Sequence, residues 1–141
     1  MELISEKNLY RLSVNSESRG ELISMDYANY NNVPFEPRRM FVVKNVPEGM
    51  NRGGHAHYSG RQLLVCLKGK IKVYLNDGVS DTDEVHLLSE NDTLYIPNLI
   101  WDRYIFKTKE TVLMVLSSTE YDRSDYIDDF GKFQEIKAKR V

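Results

Sequence analysis

The chain contains a single cysteine, Cys66, so no intramolecular disulfide can form and a cysteine-based zinc site is excluded. Cys66 sits in Leu63-Leu64-Val65-Cys66-Leu67, where a buried, inert thiol is expected, and one reduced thiol suits a cytoplasmic setting. Positive charge is not in excess. Nineteen Lys and Arg face 21 Asp and Glu, a formal net charge of -2, which leaves no basic field for DNA or RNA. Any anionic ligand has to be met by local arginines. No apolar run approaches the ~20 residues that span a bilayer. The opening Met-Glu-Leu-Ile-Ser-Glu lacks the basic and apolar regions of a secretory signal. No Gly-x-Gly-x-x-Gly fingerprint, internal repeat, low-complexity tract or linker occurs. What remains is 141 residues of ordinary globular composition, read as one domain over 1–141.

Short apolar or alternating runs recur, broken by turn residues at roughly 8–12-residue spacing, which points to an all-β sandwich or barrel. Strands are expected over 21–25, 40–46, 54–58, 62–67, 70–75, 84–88, 93–96, 103–106 and 111–117. Residues 70–75 alternate, with Ile71, Val73 and Leu75 on one face and Lys70, Lys72 and Tyr74 on the other. Residues 111–116 are almost wholly apolar and read as a central strand buried on both faces. Lys68-Gly69 marks a tight hairpin. Tyr126, Ile127, Phe130, Phe133 and Ile136 fall at helical spacing, giving one C-terminal helix capped by Ser124 or Asp125. The polar, proline-containing stretch 27–37 reads as a loop carrying function.

Chemistry concentrates in Gly49-Met50-Asn51-Arg52-Gly53-Gly54-His55-Ala56-His57. On a strand, His-x-His places both imidazoles on one face, with Ala56 on the other. The preceding glycines let the backbone pass close to a neighbour. Two imidazoles one pleat apart can converge on a small ligand or on a metal. His86 has no partner nearby in sequence and reads as a surface or half-buried residue.

The spacing resembles the first signature of the cupin barrel. Gly49, His55, His57 and Gly69 fit, and Gln62 takes the place of the usual Glu. The second signature is also traceable: Asn91 takes its first place, Pro97 matches, and Leu99, Asp102 and Phe106 replace Gly, His and Asn. Two of the four usual metal ligands are therefore changed. A neutral amide oxygen is a poor ligand for a transition metal, whereas His55, His57 and Asp102 offer a two-His-one-carboxylate set.

Several further segments extend the resemblance. They are Ser18-Arg19-Gly20-Glu21-Leu22, Arg39-Met40-Phe41-Val42-Val43, Gln62 to Gly69, Asn76-Asp77-Gly78, Pro97-Asn98-Leu99-Ile100-Trp101 and Tyr121-Asp122-Arg123-Ser124-Asp125-Tyr126-Ile127. Together these are similar to the sugar-nucleotide 3,4-ketoisomerases, metal-independent cupins acting on dTDP-4-keto-6-deoxyglucose or a close relative. The resemblance implies a double-stranded β-helix, or jelly-roll, barrel with no cofactor. It implies a dTDP- or UDP-linked 4-keto-6-deoxyhexose in the barrel mouth and a homodimer with exchanged N-terminal strands. It also implies a role in unusual deoxy-amino sugars of bacterial surface polysaccharides such as lipopolysaccharide O-antigen. Tyr58 and Arg61 stand where the family usually has Lys and Glu, and Asp102 where it has His or Arg facing the sugar.

Moving a ketone from C4 to C3 requires removal of the C3 proton, an enediol, return of a proton to C4, and transfer of a hydroxyl proton from O3 to O4. Imidazoles titrating near 6.5 suit this work. His57 is assigned the carbon proton and His55 the oxygens; the reverse assignment stays open. Gln62, Tyr74 and Tyr104 are candidate donors to the developing oxyanion. Arg39 and Arg52 are the first choices for the diphosphate, with Arg38, Arg61 and Arg103 as alternatives and Arg19 near the site on the exchanged strand. Tyr27, Tyr30 and Phe35 are candidate platforms for the base. Rival readings are a metal-dependent isomerase or dioxygenase built on His55, His57 and Asp102, a non-catalytic sugar-binding cupin, and an epimerase acting at C3 and C5.

Overall fold

Alternating runs with one apolar face must bury that face against another layer. The computed structural model, which describes residues 8–27 and 33–140, does so with two five-stranded antiparallel sheets. In chain order the strands are β1 (Leu9–Arg11), β2 (Val14–Glu17), β3 (Gly20–Ile23), β4 (Arg39–Lys44), β5 (Asn51–His57) and β6 (Gln62–Lys68), then β7 (Ile71–Asn76), β8 (Glu84–Leu88), β9 (Asp92–Ile96), β10 (Trp101–Phe106), β11 (Val112–Ser117) and β12 (Tyr126–Ile127). One helix, α1 (Phe130–Ala138), closes the chain. The first sheet runs β1-β9-β6-β11-β4 and the second β12-β5-β10-β7-β8. This is the all-β barrel with a short C-terminal helix that the sequence predicts. Among the described residues, no helix is long and apolar enough to cross a membrane.

Between the sheets lies one continuous core that includes Leu64, Cys66, Ile71, Val73, Leu75, Phe106, Leu113 and Val115. Each such side chain contributes about 1.5–3 kcal/mol when fully buried. Leu63 and Val65, on the opposite face of β6, are covered by Leu12, Val33 and Phe35. β6 is thus a central strand buried on both faces, and so is its neighbour β11, as expected from its apolar run. Cys66 is fully buried, and burial pushes its thiol up to about 12, the inert state expected. At the Lys68-Gly69 hairpin, Gly69 takes φ +83°, and a Cβ there would lie 2.2 Å from Thr111 Oγ1. Only glycine closes that turn.

Two expectations are corrected. The C-terminal helix does not begin at Ser124 or Asp125. Residues 123–125 form a 3-10 turn, Tyr126 and Ile127 pair with His57 and Ala56 of β5, and the helix starts at Phe130 under an Asp129 cap. Helical periodicity cannot anticipate that pairing with a distant strand claims its first two apolar positions. It also moves Gly131 into the first turn, where the Asp129 carboxylate accepts its N–H at 3.2 Å. His86 is buried rather than at the surface, with Nε2 3.1 Å from the Glu84 carboxylate. The strand expected over 21–25 appears as β3, while β1 and β2, the latter pairing with β3 in an exposed hairpin, are absent from the expected strands, because their few residues carry little periodic signal.

Candidate active site

The glycines before the histidines are explained by the pairing of β5 with β10. His55 opposes Asp102 and Gly53 opposes Arg103, so Gly54 is an extra residue, a bulge that bends β5. Gly53 and Gly54 take φ +80° and +87°. A Cβ on Gly53 would lie 2.9 Å from Asp102 Oδ1 and 3.1 Å from Arg103 Cα. This close approach seats the Asp102 carboxyl beside His55. Beyond the bulge the pleat behaves as predicted: Ala56 packs outward with Leu99, Ile127 and Phe133, and the imidazoles turn inward.

The two rings meet edge to face at 5.1 Å between centroids, and Tyr126 packs against both, at 5.0 Å from His55 and 4.4 Å from His57. His55 lines a cavity of about 560 Å³ between the sheets, together with Arg39, Arg52, Gln62, Asp102 and Tyr104. His57 lies beside it. Its Nδ1 is 3.4 Å from Asp125 Oδ2, and its Nε2 is 3.4 Å from Gln62 Nε2. An amide NH2 donates, so this network assigns the proton to Nδ1, facing the carboxylate, and leaves Nε2 as an acceptor. Asp125 is itself fixed by the Ser59 N–H at 2.9 Å, the Ser59 hydroxyl at 2.8 Å and the Gly60 N–H at 3.0 Å. The backbone of His57 is held as well: its carbonyl accepts from Leu99 N–H at 2.8 Å, and the Leu99 carbonyl accepts from the buried Lys137 Nζ at 2.9 Å.

Burial sets the protonation states. It is the largest influence pushing His55 down to about 4, reinforced by neighbouring His57. Burial also lowers His57, against the pull of Asp125. Both rings are therefore neutral at physiological pH. Asp102 is pushed up to about 7 by burial alone, and Tyr104, which is hydrogen-bonded to Arg52, is pushed up to about 12 mainly by burial. The cavity thus presents neutral imidazoles and a carboxyl poised between its two forms, with two arginines at its wall.

Six of the ten expected site residues line the cavity itself: His55, Arg39, Arg52, Gln62, Asp102 and Tyr104. His57 adjoins it. The remaining three lie elsewhere. Tyr74 and Arg103 sit on the outer face of the second sheet, the guanidinium 3.8 Å from the ring centroid and 3.6 Å from Asp83, because they alternate with the inward Val73, Leu75, Asp102 and Tyr104. Arg19 lies at the tip of the β2–β3 hairpin, paired with Glu17 at 2.7 Å. Of the alternatives for the diphosphate, Arg61 stacks over Phe35 and Arg38 lies 3.9 Å from Glu36. Phe35 is buried beneath β6 and offers no platform for a base, a correction to its expected role; Tyr30 lies outside the described residues. No group of three or more His, Cys, Asp and Glu among the described residues is arranged to hold a metal, so the His55, His57 and Asp102 set is not assembled as one. Sequence reasoning missed Asp125 as the partner of His57 and Tyr126 as the ring packed on both histidines. The Asp125-Tyr126-Ile127 segment was the available signal, but its helical spacing suggested a cap.

The family model described as FdtA: WxcM-like, C-terminal matches residues 5–138. The chain belongs to this family. A TDP-4-oxo-6-deoxy-alpha-D-glucose-3,4-oxoisomerase from Aneurinibacillus thermoaerophilus is 34% identical over 123 residues, covering 87% of this chain and 86% of the relative. Among solved structures, the sugar 3,4-ketoisomerase QdtA from Thermoanaerobacterium thermosaccharolyticum, in complex with TDP, superposes with a TM-score of 0.85 at 28% identity, covering 94% of this chain and 95% of QdtA. A mutant of QdtA with one histidine replaced by asparagine, in complex with TDP-4-keto-6-deoxyglucose, matches equally well, with a TM-score of 0.85 at 28% identity over 94% of each chain.

Proposed function

We propose that this family member is an isomerase that moves the ketone of a TDP-linked 4-keto-6-deoxyhexose from C4 to C3. The observation that carries the reading is the pair of inward, neutral imidazoles at the cavity, one of them backed by a carboxylate. His57 is the carbon base. With its Nδ1–H held by Asp125, its free Nε2 takes the C3 proton as the Gln62 amide turns to a sugar oxygen, and it returns the proton at C4. His55, on the cavity wall, faces O3 and O4. Arg39 and Arg52 hold the diphosphate, and Tyr104 is positioned for the developing oxyanion. The ketone and the hydroxyl exchange within one molecule, so no external oxidant or reductant enters the balance.

The test is proton NMR of TDP-4-keto-6-deoxyglucose mixed with the enzyme in heavy water. Conversion to a 3-keto product is expected, with deuterium entering the ring as the His57 imidazolium exchanges with heavy water before C4 is protonated, and His57→Asn is expected to abolish the incorporation. Undiminished incorporation by His57→Asn would sink the assignment; a C3 or C5 epimer as product would sink the activity.

We also propose that residues 1–141 act as one domain, in the cytoplasm, as a homodimer exchanging N-terminal strands. Support comes from β4, the last strand of its sheet among the described residues. Met40 and Val42 face outward from it, 61% and 47% exposed, and Leu22 on the hairpin is 63% exposed. An open edge with an apolar outer face favours pairing with a second copy. The role in bacterial surface-polysaccharide sugars is part of this proposal.

A further inference from the structure

Buried polar atoms are almost always hydrogen-bonded, and leaving one unpaired costs about 1–3 kcal/mol. Among the described residues, only Asn91 Oδ1 and Asp102 Oδ2 are buried side-chain oxygens with no partner. Asn91 belongs to the turn before β9. Asp102 is 2% exposed and lines the cavity beside His55, and no ion pair among the described residues includes its carboxylate. The fold itself makes no use of this oxygen, while the glycine bulge of β5 is shaped around the carboxyl.

We propose that Asp102 is a third catalytic group, whose carboxyl relays a proton from O3 to O4 of the sugar while His57 works the carbon proton. A protonated carboxyl presents a donor and an acceptor side by side. Two adjacent sugar oxygens, one a hydroxyl and one a carbonyl, present the complementary pair. The C3–H proton passes to His57 Nε2, the bond pair forms C3=C4, and the C4 carbonyl pair moves onto O4, which takes the proton of Asp102. The Asp102 carboxylate then accepts the O3 hydroxyl proton as C3=O forms, and C4 takes the proton from the His57 imidazolium. Both residues end as they began. This transfers the oxygen shuttle from His55 to Asp102; His55, held near 4, does not retain an added proton at neutral pH and serves as a hydrogen-bonding group. Asp102, near 7, exchanges a proton readily there. The titratable and charged groups sharing its cavity are His55 and Arg52 on β5, Tyr104 on β10, Arg39 on β4 and Tyr126 on β12, while β7 opposes it with apolar Leu75.

The proposal rests on the ketoisomerase reading, and the experiment separates the two. Asp102→Asn preserves shape and removes the exchangeable acid; kcat and KM are measured from pH 5 to 9, alongside carboxyl-carbon NMR of the wild type and the variant. The expected result is a kcat loss of about 100-fold or more with KM within threefold, and an alkaline limb near pH 7 in the wild-type profile that is missing from the variant's. The wild-type spectrum should contain one carboxyl titrating near 7 that is missing from the variant. A variant with kcat within threefold of wild type, or one that keeps the alkaline limb, overturns the relay. If the wild type does not turn over a TDP-4-keto sugar, the reading above fails instead. The NMR titration still decides about Asp102 in that case, because a wild-type midpoint near 4 refutes a proton-bearing carboxyl.

Discussion

Replacing Asp102 by Asn should stabilise the protein at neutral pH even as it removes activity. In the unfolded chain an aspartate loses its proton near 3.9. In the fold, burial holds Asp102 protonated up to about 7. Between those values the native state binds more protons than the unfolded state, so this group's contribution to stability falls as pH rises. The penalty is absent below about pH 4, grows across the window, and is complete above 7. A shift of about 3 units corresponds to roughly 4 kcal/mol at most. His55 works in the opposite sense. Its folded value of about 4 lies below 6.5, so its contribution rises with pH between the two, by about 3 kcal/mol. His55 is common to both proteins, and its shift comes from burial, His57, Asp128 and Arg123 rather than from Asp102, so it cancels in the difference. The assay is urea denaturation of wild type and Asp102→Asn at half-unit steps from pH 4 to 8. The variant's midpoint should gain on wild type by up to roughly 2 M between pH 4 and 7, at a slope of about 2 kcal/mol/M, and then level off. A difference between the two proteins that stays constant across this range would refute the reasoning, because Asp102 would then titrate alike in both states.

Lys137→Met removes the donor to the buried Leu99 carbonyl, at a net cost of about 1–2 kcal/mol, or roughly 3–6 °C in Tm by calorimetry. Because Leu99 also holds the His57 carbonyl, kcat should fall with it, and an unchanged kcat would break the link. Gly53→Ala forces a side chain into φ +80° and against Asp102 Oδ1, so it should cost at least ~1–2 kcal/mol and lower kcat sharply; wild-type activity would show that the bulge does not seat Asp102. Light scattering should give twice the chain mass, and Val42→Glu on the open β4 edge should weaken that association; a monomer at micromolar concentration contradicts the proposed exchange.

The β architecture was legible from the sequence because it is written in local patterns. Apolar alternation fixed most strands, including β8 to the residue, and His-x-His on a strand fixed two imidazoles on one face. The same alternation placed Tyr74 away from Val73 and Leu75, so its position on the outer face was already implied. What local pattern cannot carry is which distant segment arrives beside a site. Asp125 reaches His57 across 68 positions, since the segment after β11 pairs with β5 instead of continuing a helix. The unpartnered Oδ2 of Asp102 likewise depends on a bulge in one strand meeting a residue of another. Residue types and spacing determined that this chain folds as a barrel with two histidines side by side inside. Only the tertiary structure decided which carboxylate would brace an imidazole and which would be buried alone, because desolvation and proximity are properties of the packed molecule rather than of the chain.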